Sequence, residues 1–420
     1  MSRQSFAGCL DNLVRERITS LTATTTNRFP GGHVSNALAG INVGVVGTGF
    51  MGVAHTEALR RLGVNVVGIV GSTPERAEVK ARTANLPRVF ESLDALLADR
   101  SIHAVHVTSP NNVHAAQSLA VLAAGKHVIC EKPLAMDSQE TAQLLSAARA
   151  SGLVHAVCFN QRFYPLVHQA SAAVAAGEIG TPRLVSGGYL QDWLLLETDW
   201  NWRLVADRAG VLRAVADIGS HWFDNVQFVT GARIVEVFAD LHTFLTKRNH
   251  PLGEVETFAA HAVPDVERVE EEMRSDDAAG VLVRFDNGAR GVCTISQVSA
   301  GRKNFLHWEV DGSDSAMAWN TESPDDLWMG HRGRPNEIFK RDPGLMHASA
   351  SATSGYPAGH VEGYPDTFRA LFAAVYVDIV AGRPAEPPRY PTFADGHDSA
   401  LVCEAVAASA SSGTWARVAR

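Results

Sequence analysis

From residue 41 onward, short apolar runs alternate with helix-like segments. Ile41 to Val46, Val64 to Val70, Ala104 to Thr108, His127 to Cys130 and Val154 to Phe159 read as strands. Between them Val53 to Leu62, Pro74 to Thr83, Leu93 to Ala98, Val113 to Ala124 and Ser138 to Ala150 read as helices. Strands buried on both faces appear as unbroken apolar runs, so this alternation predicts a parallel sheet covered by helices on both sides. After about residue 160 the grammar changes. Arg183 to Leu190, Ile234 to Leu241, Ala279 to Phe285 and Arg290 to Gln297 follow one another more closely, and Asp286-Asn287-Gly288 is a hairpin signal. The pattern predicts an α/β domain with a large open, mainly antiparallel sheet. A last helix at roughly Gly396 to Ser411 has an alanine-rich face suited to packing back on the body.

Residues 1–40 show no sustained period: a Thr-rich stretch, Leu21 to Thr26, precedes Pro30-Gly31-Gly32. They read as an extension with three origins open: a disordered tail, an arm on a partner subunit, or the product of an upstream start codon. The length of 420 residues suits two or three domains, and 46% hydrophobic with 20% charged residues is ordinary globular usage. With 37 basic and 45 acidic residues the net charge is −8, which disfavours nonspecific binding to nucleic acid or an anionic membrane. The five cysteines, at 9, 130, 158, 293 and 403, are odd in number and scattered, with no C-x-x-C spacing. That argues against a disulfide framework or a structural zinc site, so no metal is expected. Apolar stretches break well short of about 18 residues, and the start has no signal-peptide core, so a cytoplasmic location is expected.

Three segments carry candidate chemistry. Gly47-Thr48-Gly49-Phe50-Met51-Gly52 matches G-x-G-x-x-G directly after a strand and before a helix. There the first glycine permits a tight turn, the second lets backbone approach a pyrophosphate, and the third allows close helix packing. A glycine-rich turn without a ligand is the bland alternative, and the strand-turn-helix context lowers it. Cys130-Glu131-Lys132-Pro133 ends a strand of the alternating unit, where such folds bind ligands. Lysine is scarce here, with only Lys80, Lys126, Lys132, Lys247, Lys303 and Lys340, and one at this place suits an acid or an alkoxide stabiliser. A solvated Glu-Lys turn stopped by proline is an equal alternative. In the third segment, Asp217-Ile218-Gly219-Ser220-His221-Trp222-Phe223-Asp224, a helix would place Asp217 and His221 on one face with Asp224 three residues further. The spacing suits a carboxylate that orients a proton-exchanging imidazole, or equally a plain helix ion pair or a core histidine.

Together these segments resemble the Gfo/Idh/MocA family of dehydrogenases, named for glucose-fructose oxidoreductase, inositol dehydrogenase and a rhizopine-catabolism protein. The resemblance runs from residue 41 to the end. Besides the fingerprint it rests on Thr108-Ser109-Pro110 with His114, the tripeptide at 131–133, Asn160-Gln161-Arg162-Phe163-Tyr164-Pro165, Gly177-Glu178-Ile179-Gly180, and D-x-G-x-H-x-x-D at 217–224. It implies a dinucleotide-binding Rossmann domain over 41–160 and a substrate-binding and oligomerisation domain over 161–420, with the site between them. Lys132, Asp217 and His221 then line the place where the nicotinamide meets a sugar or polyol carbon. The resemblance assigns cofactor contacts to the fingerprint, to Thr108, Ser109, Pro110, Asn111 and His114, and to Glu131, Lys132 and Arg162. Relatives form dimers or tetramers, so a homo-oligomer is expected.

One departure concerns the second strand. The acid that holds a ribose 2′-hydroxyl in NAD-preferring members is missing, and Gly71-Ser72-Thr73-Pro74-Glu75-Arg76 offers two hydroxyls and an arginine to a 2′-phosphate. NADP is therefore favoured over NAD. Tyr189, Gln191, Trp193, Trp200 and Trp202, with His360, are candidates for holding a sugar through ring faces and polar rims; tryptophans are more often core. The expected activity is reversible hydride transfer between NAD(P) and a secondary alcohol or ketone of a sugar, glycoside or cyclitol. His221 would take the hydroxyl proton, Asp217 would orient His221 or bind a neighbouring hydroxyl, and Lys132 would stabilise the alkoxide. Two other readings are redox-assisted glycoside cleavage and a dinucleotide-sensing regulator; the presence of both Lys132 and His221 favours the enzyme.

Overall fold

The computed structural model describes residues 38–252 and 267–420. Most of the N-terminal extension, residues 1–37, lies outside the described residues. Its end does not: Leu38 is buried in the core of the first sheet, and the Ile41 N–H donates to its carbonyl, so packed structure includes residues before the expected boundary at Ile41.

The first half alternates strand and helix. Its elements are β1 (Asn42–Val46), α1 (Phe50–Arg61), β2 (Asn65–Val70), α2 (Pro74–Thr83), α3 (Leu93–Ala98), β3 (Ala104–Val107), α4 (His114–Ala123), β4 (His127–Cys130), α5 (Ser138–Ser151) and β5 (His155–Val157). All pairings are parallel, in the order β2-β1-β3-β4-β5. Val43, Val45, Val105, Val107, Val128 and Ile129 are buried, as strands covered on both faces must be. Helix starts follow local chemistry. The Thr73, Ser92 and Asp137 side chains each accept a backbone N–H at the starts of α2, α3 and α5. Because β2 and β3 flank β1 on opposite sides, a crevice opens at the carboxyl ends of β1 and β3.

The second half adds α6 (Pro165–Ala175), β6 (Leu184–Leu190), α7 (Ser220–Thr230), β7 (Ile234–His242), β8 (Lys247–Pro251), β9 (Arg268–Glu272), β10 (Ala278–Phe285) and β11 (Arg290–Ser296). These are followed by β12 (Phe305–Asp311), β13 (Ser315–Asn320), β14 (Asp326–His331), β15 (Glu337–Lys340), α8 (Tyr364–Ala381), α9 (Phe393–Ser412) and β16 (Ala416–Arg417). Nine strands form one sheet, β15-β14-β13-β12-β6-β11-β10-β7-β16, antiparallel except for the β6–β11 pair. Burial alternates along β10, β11 and β12, so one face packs on helices and the other faces outward. The covered face is filled by Trp222, Trp308 and Trp319. Their polar edges are satisfied: Trp222 Nε1 donates to the His307 carbonyl at 3.1 Å and Trp308 Nε1 to Asn225 Oδ1 at 2.9 Å.

Two late helices return to the first sheet. Helix α8 packs on α1 and places Phe368, Leu371, Phe372, Val375 and Tyr376 in the core formed by Val43, Ala58, Leu59 and Ala104. Helix α9 lies against both β7 and α5, with Glu404 accepting the Ser138 N–H at 2.6 Å. No helix among the described residues is long and apolar enough to cross a membrane.

Candidate active site

The fingerprint segment links β1 to α1. Gly47 has φ 117°, and a Cβ there would lie 2.6 Å from the Thr108 carbonyl oxygen, so only glycine fits under the loop after β3. A Cβ at Gly52 would lie 2.2 Å from the Gly47 oxygen. Gly49 differs, because a Cβ there would meet nothing within 4 Å. Its open side sits at the start of α1, whose N-cap has no side-chain hydrogen bond. An uncapped N-terminus beside open space at the switch point is the cradle a pyrophosphate needs, so these residues fit a dinucleotide. Phe50 and Met51 turn instead to Tyr364 on α8, Phe50 by stacking at 6.5 Å. Thr48 Cγ2 borders Gly71. At the end of β2, Arg76 Nη1 donates to Ser72 Oγ at 3.2 Å, and Thr73 caps α2, so these three form one exposed polar cluster.

The loops after β3 and β4 are tied together by His114. Its two ring nitrogens face the Ser109 and Pro133 carbonyls at 2.8 Å each, while the Thr108 hydroxyl donates to the Val46 carbonyl. Pro110 precedes the short turn Asn111–Val113, and Asn111 donates across the cleft to the Ala209 carbonyl at 3.1 Å. Arg162, by contrast, is held inside the protein between Asp224 and Asp395, with Nε 2.7 Å from Asp224 Oδ2.

Lys132 faces Asp217 from across the cleft. Its Nζ donates to the Asp217 carbonyl at 2.6 Å and to Oδ1 at 2.9 Å. Arg203 Nε reaches the same Oδ1 at 3.2 Å, and Gln297 Nε2 donates to Oδ2 at 2.9 Å. Burial raises the Asp217 pKa, but the Lys132 and Arg203 charges and the Lys132 hydrogen bond more than offset it and hold the carboxylate far below its usual range. The expected helical ladder from Asp217 to His221 is absent. Val215–Gly219 is a π-helical turn leading into α7, and in a π turn residues four apart do not stack. The Asp217 carboxylate therefore binds Lys132, Arg203 and Gln297 rather than the imidazole. His221 lies between the rings of Phe159 and Tyr189, at 5.8 and 6.2 Å. Burial, then the Lys132 charge, drive its pKa well below the ordinary imidazole value, so it stands neutral, with Nδ1 buried and without a hydrogen-bond partner.

The aromatic candidates divide. Gln191 Nε2 donates to Asn304 Oδ1 at 2.9 Å, Trp193 Nε1 to Gln191 Oε1 at 2.8 Å, and the Tyr189 hydroxyl to Asn304, forming one polar strip beside His221. Trp202 lies under the Arg203 guanidinium at 4.5 Å. Trp200 belongs to a small core with Leu194, Leu204 and Met273, stacked on His250 at 4.0 Å. His360 is exposed and turns its ring back on the Ala358 carbonyl. Gln297 and Tyr364 were not among the sequence candidates: Gln297 follows the last residue of β11 and Tyr364 opens α8, where no periodicity marks either. One group of metal-ligating types, His55, Glu131 and Cys158, occurs among the described residues, with its donor atoms already hydrogen-bonded to one another.

The comparisons agree with this geometry. Residues 41–159 match the model of an oxidoreductase family with an NAD-binding Rossmann fold, and 167–318 match a GFO/IDH/MocA C-terminal domain. A levoglucosan dehydrogenase of Pseudarthrobacter phenanthrenivorans is 30% identical over 394 residues, covering 90% of this chain and 98% of that protein. A myo-inositol dehydrogenase of Streptomyces leeuwenhoekii is 28% identical, covering 89% of this chain and 98% of its own length. Among solved structures, a levoglucosan dehydrogenase in complex with NADH and L-sorbose superposes with a TM-score of 0.80 at 28% identity, over 90% of this chain and 99% of that one. The Rossmann cradle, the mixed nine-stranded sheet and these matches along both place the chain in the Gfo/Idh/MocA family of NAD(P)-dependent oxidoreductases.

Proposed function

We propose that this enzyme moves a hydride reversibly between NADP(H), preferred over NAD(H), and a secondary alcohol or ketone of a sugar, glycoside or cyclitol. The observation that carries the reading is the Asp217 anchor: one part-buried carboxylate holds the Lys132 ammonium beside a neutral imidazole whose Nδ1 has no partner. When bound, the dinucleotide supplies the hydride acceptor or donor. In the oxidative direction His221 takes the hydroxyl proton, which its neutral state allows. Lys132 stabilises charge developing on the same oxygen, and Asp217 aims Lys132 rather than His221. The strip Tyr189, Gln191, Trp193 and Asn304 offers hydroxyl partners beside a ring face, which suits a polyhydroxylated ring. Relatives named for levoglucosan and myo-inositol support this substrate class. The test is a panel of sugars, glycosides, anhydrosugars and inositols scored for net change in reduced dinucleotide. Accumulation with at least one compound and no sugar released is expected. Tight dinucleotide binding with no turnover across the panel would leave a sensor instead.

A further inference from the structure

Behind the turn that carries Lys132 lies a chain of polar groups that no step above uses. The Tyr376 hydroxyl, on α8, is 2.9 Å from His106 Nε2 on β3. His106 Nδ1 is 2.9 Å from His55 Nδ1 on α1, and His55 Nε2 is 2.9 Å from Glu131 Oε1. Glu131 Oε2 accepts the Lys132 backbone N–H at 3.1 Å. His55, His106 and Tyr376 are each 0% exposed, enclosed by Phe368 and Phe372.

Two imidazoles joined Nδ1 to Nδ1 can share one proton only if one donates and the other accepts, which leaves two self-consistent arrangements of neutral rings. In the first, Tyr376 donates to His106, His106 Nδ1–H to His55, and His55 Nε2–H to an ionised Glu131. In the second, a protonated Glu131 donates to His55 and every bond reverses, so Tyr376 must accept and its own buried O–H has no acceptor. The first arrangement satisfies every group and the second orphans one. The surroundings of Glu131 agree: it is faced by His55 from α1, Lys132, His114 from α4, Cys158 after β5 and Tyr364 from α8. Burial raises its pKa, but the His55 hydrogen bond and the Lys132 charge help bring it net below the usual value.

We infer that Tyr376, His106 and His55 form a one-way chain of hydrogen-bond donors that ends on the Glu131 carboxylate and fixes the turn carrying Lys132. They are positioning residues, and the inference rests on Lys132 acting in the chemistry as proposed above. The chain also explains how α8, far along the sequence, bears on the site: it supplies the donor that starts the sequence of bonds.

Two measurements test it. In ¹⁵N-histidine-labelled wild-type protein, the nitrogen shifts should report His106 as the Nδ1–H tautomer and His55 as the Nε2–H tautomer. The opposite pair, or a doubly protonated ring at either position, overturns the direction of the chain. This readout needs no substrate, so it stands apart from failure of the proposed reaction. In kinetics, His106→Asn keeps a donor near the Nδ1 position and His106→Leu does not. The leucine variant should lose about 10- to 100-fold in kcat, as outer-shell partners typically cost, with substrate KM and dinucleotide Kd within about twofold, and asparagine should recover most of it. Equal loss in both folded variants, or loss in neither, makes the chain mere packing. If the leucine variant does not fold, the tautomer pair decides.

Discussion

At the end of the cleft proposed to hold the pyrophosphate, the surface on offer is backbone from one six-residue segment. At the Lys132 end, three side chains from three separate segments converge on the Asp217 carboxylate. Backbone sites are made by excluding Cβ atoms, so a single methyl group can abolish them while all side chains stay in place. Side-chain sites are made by cross-linking, so the loss of one group weakens rather than erases them, unless that group touches the reacting atoms.

The largest effect is expected where a side chain touches the reacting atoms. Lys132→Ala and His221→Ala should each lose about 10²- to 10⁴-fold in kcat, the range of acid-base groups, while dinucleotide binding measured by tryptophan fluorescence is retained. Near wild-type turnover in either removes that residue from the mechanism. The pH profile sharpens the assignment. A general base works only when neutral, and burial depresses the folded pKa of His221 below 6.5, so its acid limb shifts to lower pH. The kcat/KM of the wild type should therefore hold steady as pH falls through 6.5 and drop only well below it. A limb at or above 6.5 would mean another group takes the proton.

The phosphate end is tested by a pair of glycines. Gly49→Ala should fold with an unchanged melting temperature, because its Cβ enters open space, yet weaken dinucleotide binding by at least about tenfold, or ~1.4 kcal/mol. Gly52→Ala should do both kinds of damage, since its Cβ would sit 2.2 Å from the Gly47 oxygen and push α1 off β1. If Gly49→Ala binds normally in calorimetry, the open side of that glycine is not where the pyrophosphate lies.

This contrast also explains what was legible in the sequence. The strand-helix alternation of the first half is local, and α2 and α3 fall on the expected residues, as does β4. The fingerprint is equally local, because a tight turn, a close approach and a packed helix each demand glycine at a fixed offset. Lys132, Asp217 and His221 were found as motifs, but their partnerships were not. A period of 3.6 was assumed through Asp217, whereas the π turn at Val215–Gly219 rotates it toward Lys132. Gln297, at the end of β11, carries no signal at all until the parallel β6–β11 pairing brings it opposite the cleft. Helix α8 was missed outright, and with it Tyr376, because its apolar residues meet a core laid down more than two hundred residues earlier.

An intermediate effect is expected from Gln297→Leu. It removes one of the three side chains on Asp217; a hydrogen bond to a charged group is worth about 1.5–3 kcal/mol, of which only the part that aims Lys132 reaches the rate, so kcat should fall by roughly tenfold. Lys132 and Arg203 still hold Oδ1, so the loss should stay well short of that in Lys132→Ala. A loss as large as the alanine variant's would mean that Gln297 itself touches substrate.

The smallest expected effect lies at the edge of the backbone site, where it meets side chains for the first time. No carboxylate stands at the end of β2, and Ser72, Thr73 and Arg76 form an exposed polar cluster, with Arg76 already beside the Ser72 hydroxyl. A 2′-phosphate would find two hydroxyls and a guanidinium, and solvent exposure limits what that charge contributes. Glu75, one residue before Arg76, competes: its carboxylate accepts from its own backbone N–H and then from Thr73, which lowers its pKa and keeps it charged beside the same pocket. The two opposing charges predict a modest preference, several-fold in kcat/KM for NADP(H) over NAD(H), that Arg76→Ala reduces to parity or reverses while leaving NAD(H) kinetics unchanged. Glu75→Gln should move the ratio the other way. If the wild type uses NAD(H) more efficiently, or Arg76→Ala leaves NADP(H) efficiency intact, the cluster does not read the 2′-position, and main chain near Gly71 sets cofactor choice there as it does at the pyrophosphate.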